Sequence, residues 1–289
     1  PFASWMDRYA AEYPDRSPLK DSQDPLIETL AKQGYAHEDA QQARFESEGL
    51  VVVRIEGELS QERYARTLAA MQKGVDIIVQ ARLEHADFAG YADFLVKVTH
   101  AEGEPPSLLG DWHYEVWDTK LSKKIKPTFV VQLCCYAEML AVVQGILPAN
   151  IVVALGDGSQ QRLVTRDYFY YYKAQKQAFL QSQNQFDPQK MPDPADSKSY
   201  GDWSSYAAEL FVKNDHLSQV ATITRGQIKK LNKAGVFTMQ ALVDNSAKAL
   251  PGLPAETLSK LVAQAAIQKR SSGLDIPEFE VLTQSENPK

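Results

Sequence analysis

Two stretches that alternate at a period of two and one that repeats every three to four residues, all within 88–137, leave this chain few ways to fold. In F-A-G-Y-A-D-F-L-V-K-V (88–98), alternation predicts a strand with Phe88, Ala92, Phe94, Val96 and Val98 on one face and Tyr91, Asp93 and Leu95 on the other. Asp93 is the misfit on a half-apolar face. In Y-E-V-W-D-T-K-L (114–121), Tyr114, Val116, Asp118 and Lys120 share a face, which places a carboxylate and an ammonium about 7 Å apart along the strand. Residues 101–110, containing Glu-Gly-Glu-Pro-Pro-Ser and ending in Gly, supply a long turn between the two strands. The helix that follows carries Gln132 and Tyr136 at i and i+4, on the side of Phe129, Leu140 and Val143. Two strands and a helix thus bring two carboxylates, an ammonium and an amide together, a set suited to metal-assisted attack on a phosphodiester.

These residues carry a resemblance. G-x-x-D (90–93), D-x-K (118–120) and Q-x-x-x-Y (132–136), in that order, resemble the RecB-like branch of the PD-(D/E)xK nuclease superfamily, over roughly residues 1–268. G-Y-A-H-E (34–38) resembles the family's upstream helix with its metal-binding His, here His37. A single D-x-K is expected about once by chance in a chain of this length, and Asp196-Ser197-Lys198 is a second copy in a polar linker. The specificity lies in four elements in the right order. The resemblance implies a restriction-endonuclease-like α/β core, a mixed sheet flanked by helices. It also implies Mg²⁺ or Mn²⁺ held by Asp93, Asp118, His37 and the Thr119 carbonyl, with Lys120 at the scissile phosphate. Gln132 and Tyr136 would position the site and the substrate backbone, and Lys123, Lys124 and Lys126 are candidates for phosphate contacts. The expected activity is DNA cleavage, exonuclease-like on single strands or opened ends, in repair or recombination. A catalytically silent fold that binds DNA or another protein, within a larger helicase or nuclease protein, is the alternative. Many relatives carry an iron–sulfur cluster, which needs four thiolates. Only Cys134 and Cys135 are present, so no cluster is expected.

The remaining chain reads as a helix near 5–12, then a helix opened by Asp24-Pro25 whose inward stripe is Leu26, Leu30, His37 and Phe45. Glu38 is expected to point elsewhere. Strands are predicted at 50–55 and 75–81, around a helix at 61–73 ended by Gly74. A hairpin spans 151–155 and 162–165, and a tyrosine-rich helix follows from Asp167. The domain expectation is a nuclease core at 1–183, a linker arm with a Trp203 helix at 184–214, a helical module at 215–270 and a polar, mobile tail at 271–289. That module, with breaks at Gly235 and Pro251-Gly252-Leu253-Pro254, resembles a helix-hairpin-helix. Its four basic residues, Arg225, Lys229, Lys230 and Lys233, stand without an acidic residue from 216 to 243 and are candidate DNA contacts.

A net charge of −6 excludes a uniformly basic nucleic-acid coat and confines DNA contacts to local patches. No apolar run reads as a membrane span and no signal peptide is visible, so a cytoplasmic protein with no membrane partner is expected. Adjacent cysteines read as buried thiols in a reducing compartment. A first residue of Pro rather than Met suggests a piece of a longer protein.

Overall fold

In the computed structural model, residues 2–22, 25–100, 106–245 and 250–280 are described; Asp24, the first half of the turn at 101–110, residues 246–249 of the helical module and the tail beyond 280 fall outside them. The chain divides into two compact units, Gln23–Gln185 and a second made of Pro1–Ser22 with Phe186–Lys289.

The first unit is α/β. Helix α2 (Pro25–Ser47) leads to β1 (Val52–Arg54), α3 (Ser60–Gln72), β2 (Ile77–His85), β3 (Phe88–Thr99), β4 (Trp112–Lys120), α4 (Pro127–Gln144), β5 (Asn150–Leu155), β6 (Gln160–Val164) and α5 (Thr165–Asn184). The six strands form one mixed sheet in sequence order. β1/β2 and β4/β5 are parallel, joined through α3 and α4, and the other neighbours are antiparallel. Parallel neighbours need a crossover and antiparallel ones a turn, which is why helices fall where they do. Ala70 and Met71 of α3 and Leu133, Cys134, Ala137 and Leu140 of α4 cover one sheet face with Ile78, Leu95, Tyr114 and Val116. Phe45 of α2 covers the other with Ile77, Val79, Phe94 and Trp117.

α4 begins with Pro127 at its first position and ends at Gly145 with φ of 77°, the left-handed residue that closes a helix. Its Gln144 side chain accepts from Tyr114 N at 2.8 Å and donates to Tyr114 O at 3.2 Å, fixing the helix along β4. At 18 residues and a mean hydropathy of 1.3, α4 is long and apolar enough to cross a membrane by length and composition, contrary to the sequence expectation. Its apolar side is the centre of the core instead.

Two sequence expectations are corrected here. Leu26 and Leu30 of α2 are exposed; the buried positions are Glu38, Gln41 and Phe45, an i, i+3, i+7 stripe that turns Glu38 inward and leaves His37 at its edge. The uniform alternation expected for 88–98 also fails. Phe94 and Val96 belong to the α2-side core, whereas Ala92 joins Leu95 on the α4 side. Across from Asp93, Gln80 has φ of 54°, and on β2 the assignment switches too, from Val79 on the α2 side to Ala81 on the α4 side. A left-handed residue reverses the pleat, and both strands change faces at this rung.

The second unit is held at its N-terminal end by aromatic packing. Phe2 and Met6 of α1 (Phe2–Glu12) are buried against Trp203 and Ala207, the latter on α6 (Ser204–Lys213). Trp203 Nε1 donates to Asp7 at 3.1 Å, Trp5 Nε1 donates to the Asp187 carbonyl at 3.1 Å, and Asp21 accepts from Ser204 N at 2.7 Å. Residues 1–22, expected in the nuclease core, therefore pack with the arm, in the unit that also contains the helical module. The module comprises α7 (Arg225–Lys233), α8 (Met239–Asp244) and α9 (Ala255–Ser271), packed around Leu231, Val236, Leu242, Leu253 and Leu261. Gly235 and Gly252 take φ of 81° and 80° at the two breaks. The described start of the tail folds back, with Arg270 on Glu278 at 2.8 Å.

Candidate active site at the fork of the sheet

Strand β3 pairs with β4 only from Thr99↔Trp112 to Phe94↔Trp117. Beyond that rung β3 stays with β2 as far as His85↔Phe88, and β4 stays with β5 as far as Lys120↔Leu155. The two central strands fork, and Asp93, Asp118 and Lys120 lie at the fork. Asp93 replaces the missing ladder bonds: its Oδ2 accepts from Thr119 N and from Thr119 Oγ1, each at 2.7 Å.

Asp118 is only 2% exposed, and its Oδ2 lies 2.6 Å from Lys120 Nζ. Lys120 thus sits against the buried oxygen and neutralises it with a charge-assisted contact from two residues along the same strand. Burial first, then the charge of Asp93, push the Asp118 carboxyl up to about 7 against the opposing pull of Lys120; Glu38 adds to the rise. Carboxylates gathered in a dry place need a cation, a part that Lys120 takes at Asp118, and such sites are disproportionately functional.

Glu38, expected to point away, is 5% exposed and faces this cluster. It accepts from Gln80 Nε2 at 2.9 Å and from Arg54 at 3.2 Å, while burial and Asp93 raise its carboxyl above the ordinary range. Sequence reasoning missed both Glu38 and Gln80. The available signal was Gln80 itself, a lone amide inside I-I-V-Q-A-R-L. His37 sits half-buried with Nε2 3.3 Å from the Ala154 carbonyl, and Ala154 is the β5 partner of Thr119. The expected histidine thus reaches the neighbourhood of the D-x-K strand, with Nε2 turned to a backbone oxygen. Among the described residues no three His, Cys, Asp or Glu side chains converge tightly enough to cage an ion.

α4 brings the amide and phenol as expected. Gln132 hydrogen-bonds Tyr136, whose hydroxyl is held in the neutral form mainly by burial, and the charges of Asp118 and Asp93 act on it as well. Tyr136 explains the glycine of G-x-x-D: a Cβ at Gly90 would meet the Tyr136 ring at 2.8 Å and its hydroxyl at 2.9 Å. Only glycine lets the phenol lie on the strand three residues from Asp93. Gly156 is equally constrained, since a Cβ there would lie 2.3 Å from the Leu121 carbonyl, and its N–H donates to Ser122 O at 3.2 Å. That clasp fixes the loop leaving Lys120. Of its lysines, Lys123 and Lys124 are exposed, and Lys126 lies 5.8 Å from the centre of the Phe129 ring that Lys120 also overlies at 5.3 Å.

No protein-family model matches the chain, and no curated protein does. The arrangement stands on its chemistry alone. In the second unit, two of the four candidate DNA contacts are already engaged in holding the fold, Arg225 on the Ser197 carbonyl and Lys230 on the Gly252 carbonyl at 2.6 Å. Lys229 and Lys233 are exposed.

Proposed function

We propose that this chain is a metal-dependent DNA nuclease of the RecB-like PD-(D/E)xK type, with a restriction-endonuclease-like core and a helix-hairpin-helix-like module. The observation that carries the reading is the fork: Asp93, Asp118, Lys120 and the Gln132–Tyr136 pair converge from three elements, and Asp118 is raised to about 7 by burial and its acidic neighbour.

The donor set fits Mg²⁺ or Mn²⁺. Hard cations of this size are held by one or two carboxylates and complete their shells with waters and substrate phosphate rather than by an all-protein cage. Asp93, Asp118 and the Thr119 carbonyl would hold the ion, with Asp118 Oδ2 exchanging the Lys120 ammonium for the cation. The bound ion supplies an activated water and compensates phosphoryl charge. His37 enters this ligand set only by turning Nε2 from Ala154. Lys120 holds a positive charge at the carboxylates and, once a cation takes over that neutralisation, is free to contact a phosphoryl oxygen, where charge grows in the transition state. Gln132 keeps the Tyr136 phenol fixed over Gly90.

Substitution at Lys120 separates binding from chemistry. Lys120→Ala is expected to retain Mn²⁺ binding by titration calorimetry while turnover on linear DNA falls at least 100-fold. Undiminished turnover in that variant would sink the reading. The competing reading, a silent fold that binds DNA or a partner domain, is favoured by the Lys120 ammonium, which already neutralises the buried Asp118 carboxylate. It predicts no cleavage by wild type with either metal, together with DNA affinity that falls steeply with salt if phosphates are the contacts.

A further inference from the structure

Between α4 and α5 lies a cavity of about 390 Å³, in the size range of small-ligand sites. Ile125 and Pro127 line it on the side of the loop leaving Lys120, Val130 and Cys134 form its floor, and Tyr168 and Tyr171 stand on α5. Almost the whole lining is apolar. Burial pushes the Cys134 thiol up to about 11, so the floor offers no charge and no nucleophile. The cavity is open to solvent: Tyr171 is 56% exposed and Tyr168 is 36% exposed. Two aromatic rings one helical turn apart stand partly in water over an apolar floor.

The surroundings define the occupant. Lys126 lies in sequence between two lining residues and shares the Phe129 ring with Lys120, so positive charge leads from the fork to the mouth of the cavity. Lys123 has a nearby acidic neighbour in Asp157, whereas Lys124 and Lys126 form no ion pair among the described residues. An apolar slot rimmed by ammonium groups matches a molecule with flat π-faces strung on an anionic backbone. A neutral peptide or acyl chain leaves that rim unused, and a paired base has no free face to offer.

We infer that the cavity between α4 and α5 receives an unstacked base of the strand whose phosphate lies at Lys120, so that the substrate is a single strand or an opened end, read without regard to sequence. This rests on the nuclease reading, which already expects a single strand or opened end, and adds to it the place where a base of that strand is held. Stacking on an aromatic face accepts any base, whereas discrimination among bases needs polar groups aimed at their edges; the polar side-chain groups of this lining are tyrosine hydroxyls and one thiol, and the Tyr172 hydroxyl is already given to Glu138.

The test compares two labelled strands of about 12 nucleotides with the same phosphates, oligothymidylate and a fully abasic analogue, by fluorescence anisotropy in EDTA. Wild type is expected to bind the base-bearing strand at least about tenfold more tightly than the abasic one. Tyr171→Ala, at an exposed position, and Val131→Trp, at a further lining residue where the larger side chain fills the cavity, are expected to remove most of that ratio, and Tyr171→Phe to preserve it. If wild type binds both strands equally, or neither variant alters the ratio, the inference fails. Metal-dependent cleavage by the same preparation then shows the nuclease reading intact. If no strand is bound or cut, the nuclease reading falls and this inference with it.

Discussion

The buried carboxylate at the fork makes a prediction that separates a functional site from an ordinary ion pair. Asp118→Asn keeps the size of the side chain and removes its charge. The carboxyl, ordinarily near 3.9, is pushed up to about 7 in the fold. Because the folded value lies above the unfolded one, the fold holds the proton more tightly. Stability from this group is intact below about pH 4 and is lost as the pH rises to about 7. At 1.36 kcal/mol per unit the loss approaches about 4 kcal/mol; relaxation around the ion pair with Lys120 brings the expected figure to about 3 kcal/mol. For a unit of this size that is a melting shift of roughly 6–10 °C. Thermal unfolding followed by circular dichroism in EDTA should therefore find Asp118→Asn melting well above wild type near pH 8.5 and close to it near pH 4.5. Added Mg²⁺ should raise wild type and leave the variant unmoved, closing the gap. If Asp118→Asn melts below wild type near pH 8.5, the contact with Lys120 is a net stabilising pair and the reasoning about an electrostatically strained site is wrong.

Three further outcomes follow from the geometry. Gly90→Ala forces a Cβ to within 2.8 Å of the Tyr136 ring and should cost about 1–3 kcal/mol in denaturant melts. Most of that should be recovered in Gly90→Ala/Tyr136→Ala, so additive costs in the double-mutant cycle would contradict the proposed contact. Glu38→Gln removes one of the charges that raise Asp118, so the pH at which wild-type stability declines should move down; an unchanged pH midpoint would disconnect Glu38 from the site. Trp203→Ala, at 1% exposure, should cost about 3–5 kcal/mol in the second unit. Hydrogen exchange would show it as lost protection in α1 and α6, and protection lost only in the sheet would refute the assignment of residues 1–22 to this unit.

The sheet and its flanking helices were legible because their information is local. β4 alternates cleanly, Pro127 and Gly145 bracket α4, and Gly74 ends α3 with φ of 67°. Asp118, Lys120, Gln132 and Tyr136 could be placed because each lies on an element whose period sets its face. What could not be read depends on contacts between distant segments. A single left-handed residue at Gln80 re-aims Ala92 and Ala81, and nothing in the alternation of 88–98 announces it. Which stripe of α2 docks is decided by Phe45 meeting Phe94 and Trp117, with rings 5.4 Å and 5.5 Å apart. Those contacts turn Glu38 inward at the expense of the more apolar Leu26 and Leu30. The partnership of 1–22 with 186–289 likewise rests on Phe2 and Met6 meeting Trp203, a pairing across about two-thirds of the chain that no periodicity encodes.

The central claim is tested most directly by incubating end-labelled single- and double-stranded DNA with wild type, Asp118→Ala and Lys120→Ala in Mg²⁺, Mn²⁺ or EDTA. The account predicts cutting by wild type that requires a metal, favours the single strand and disappears in both variants. Wild type as inert as the variants with either metal, or cleavage that persists in EDTA or in Asp118→Ala, would contradict it.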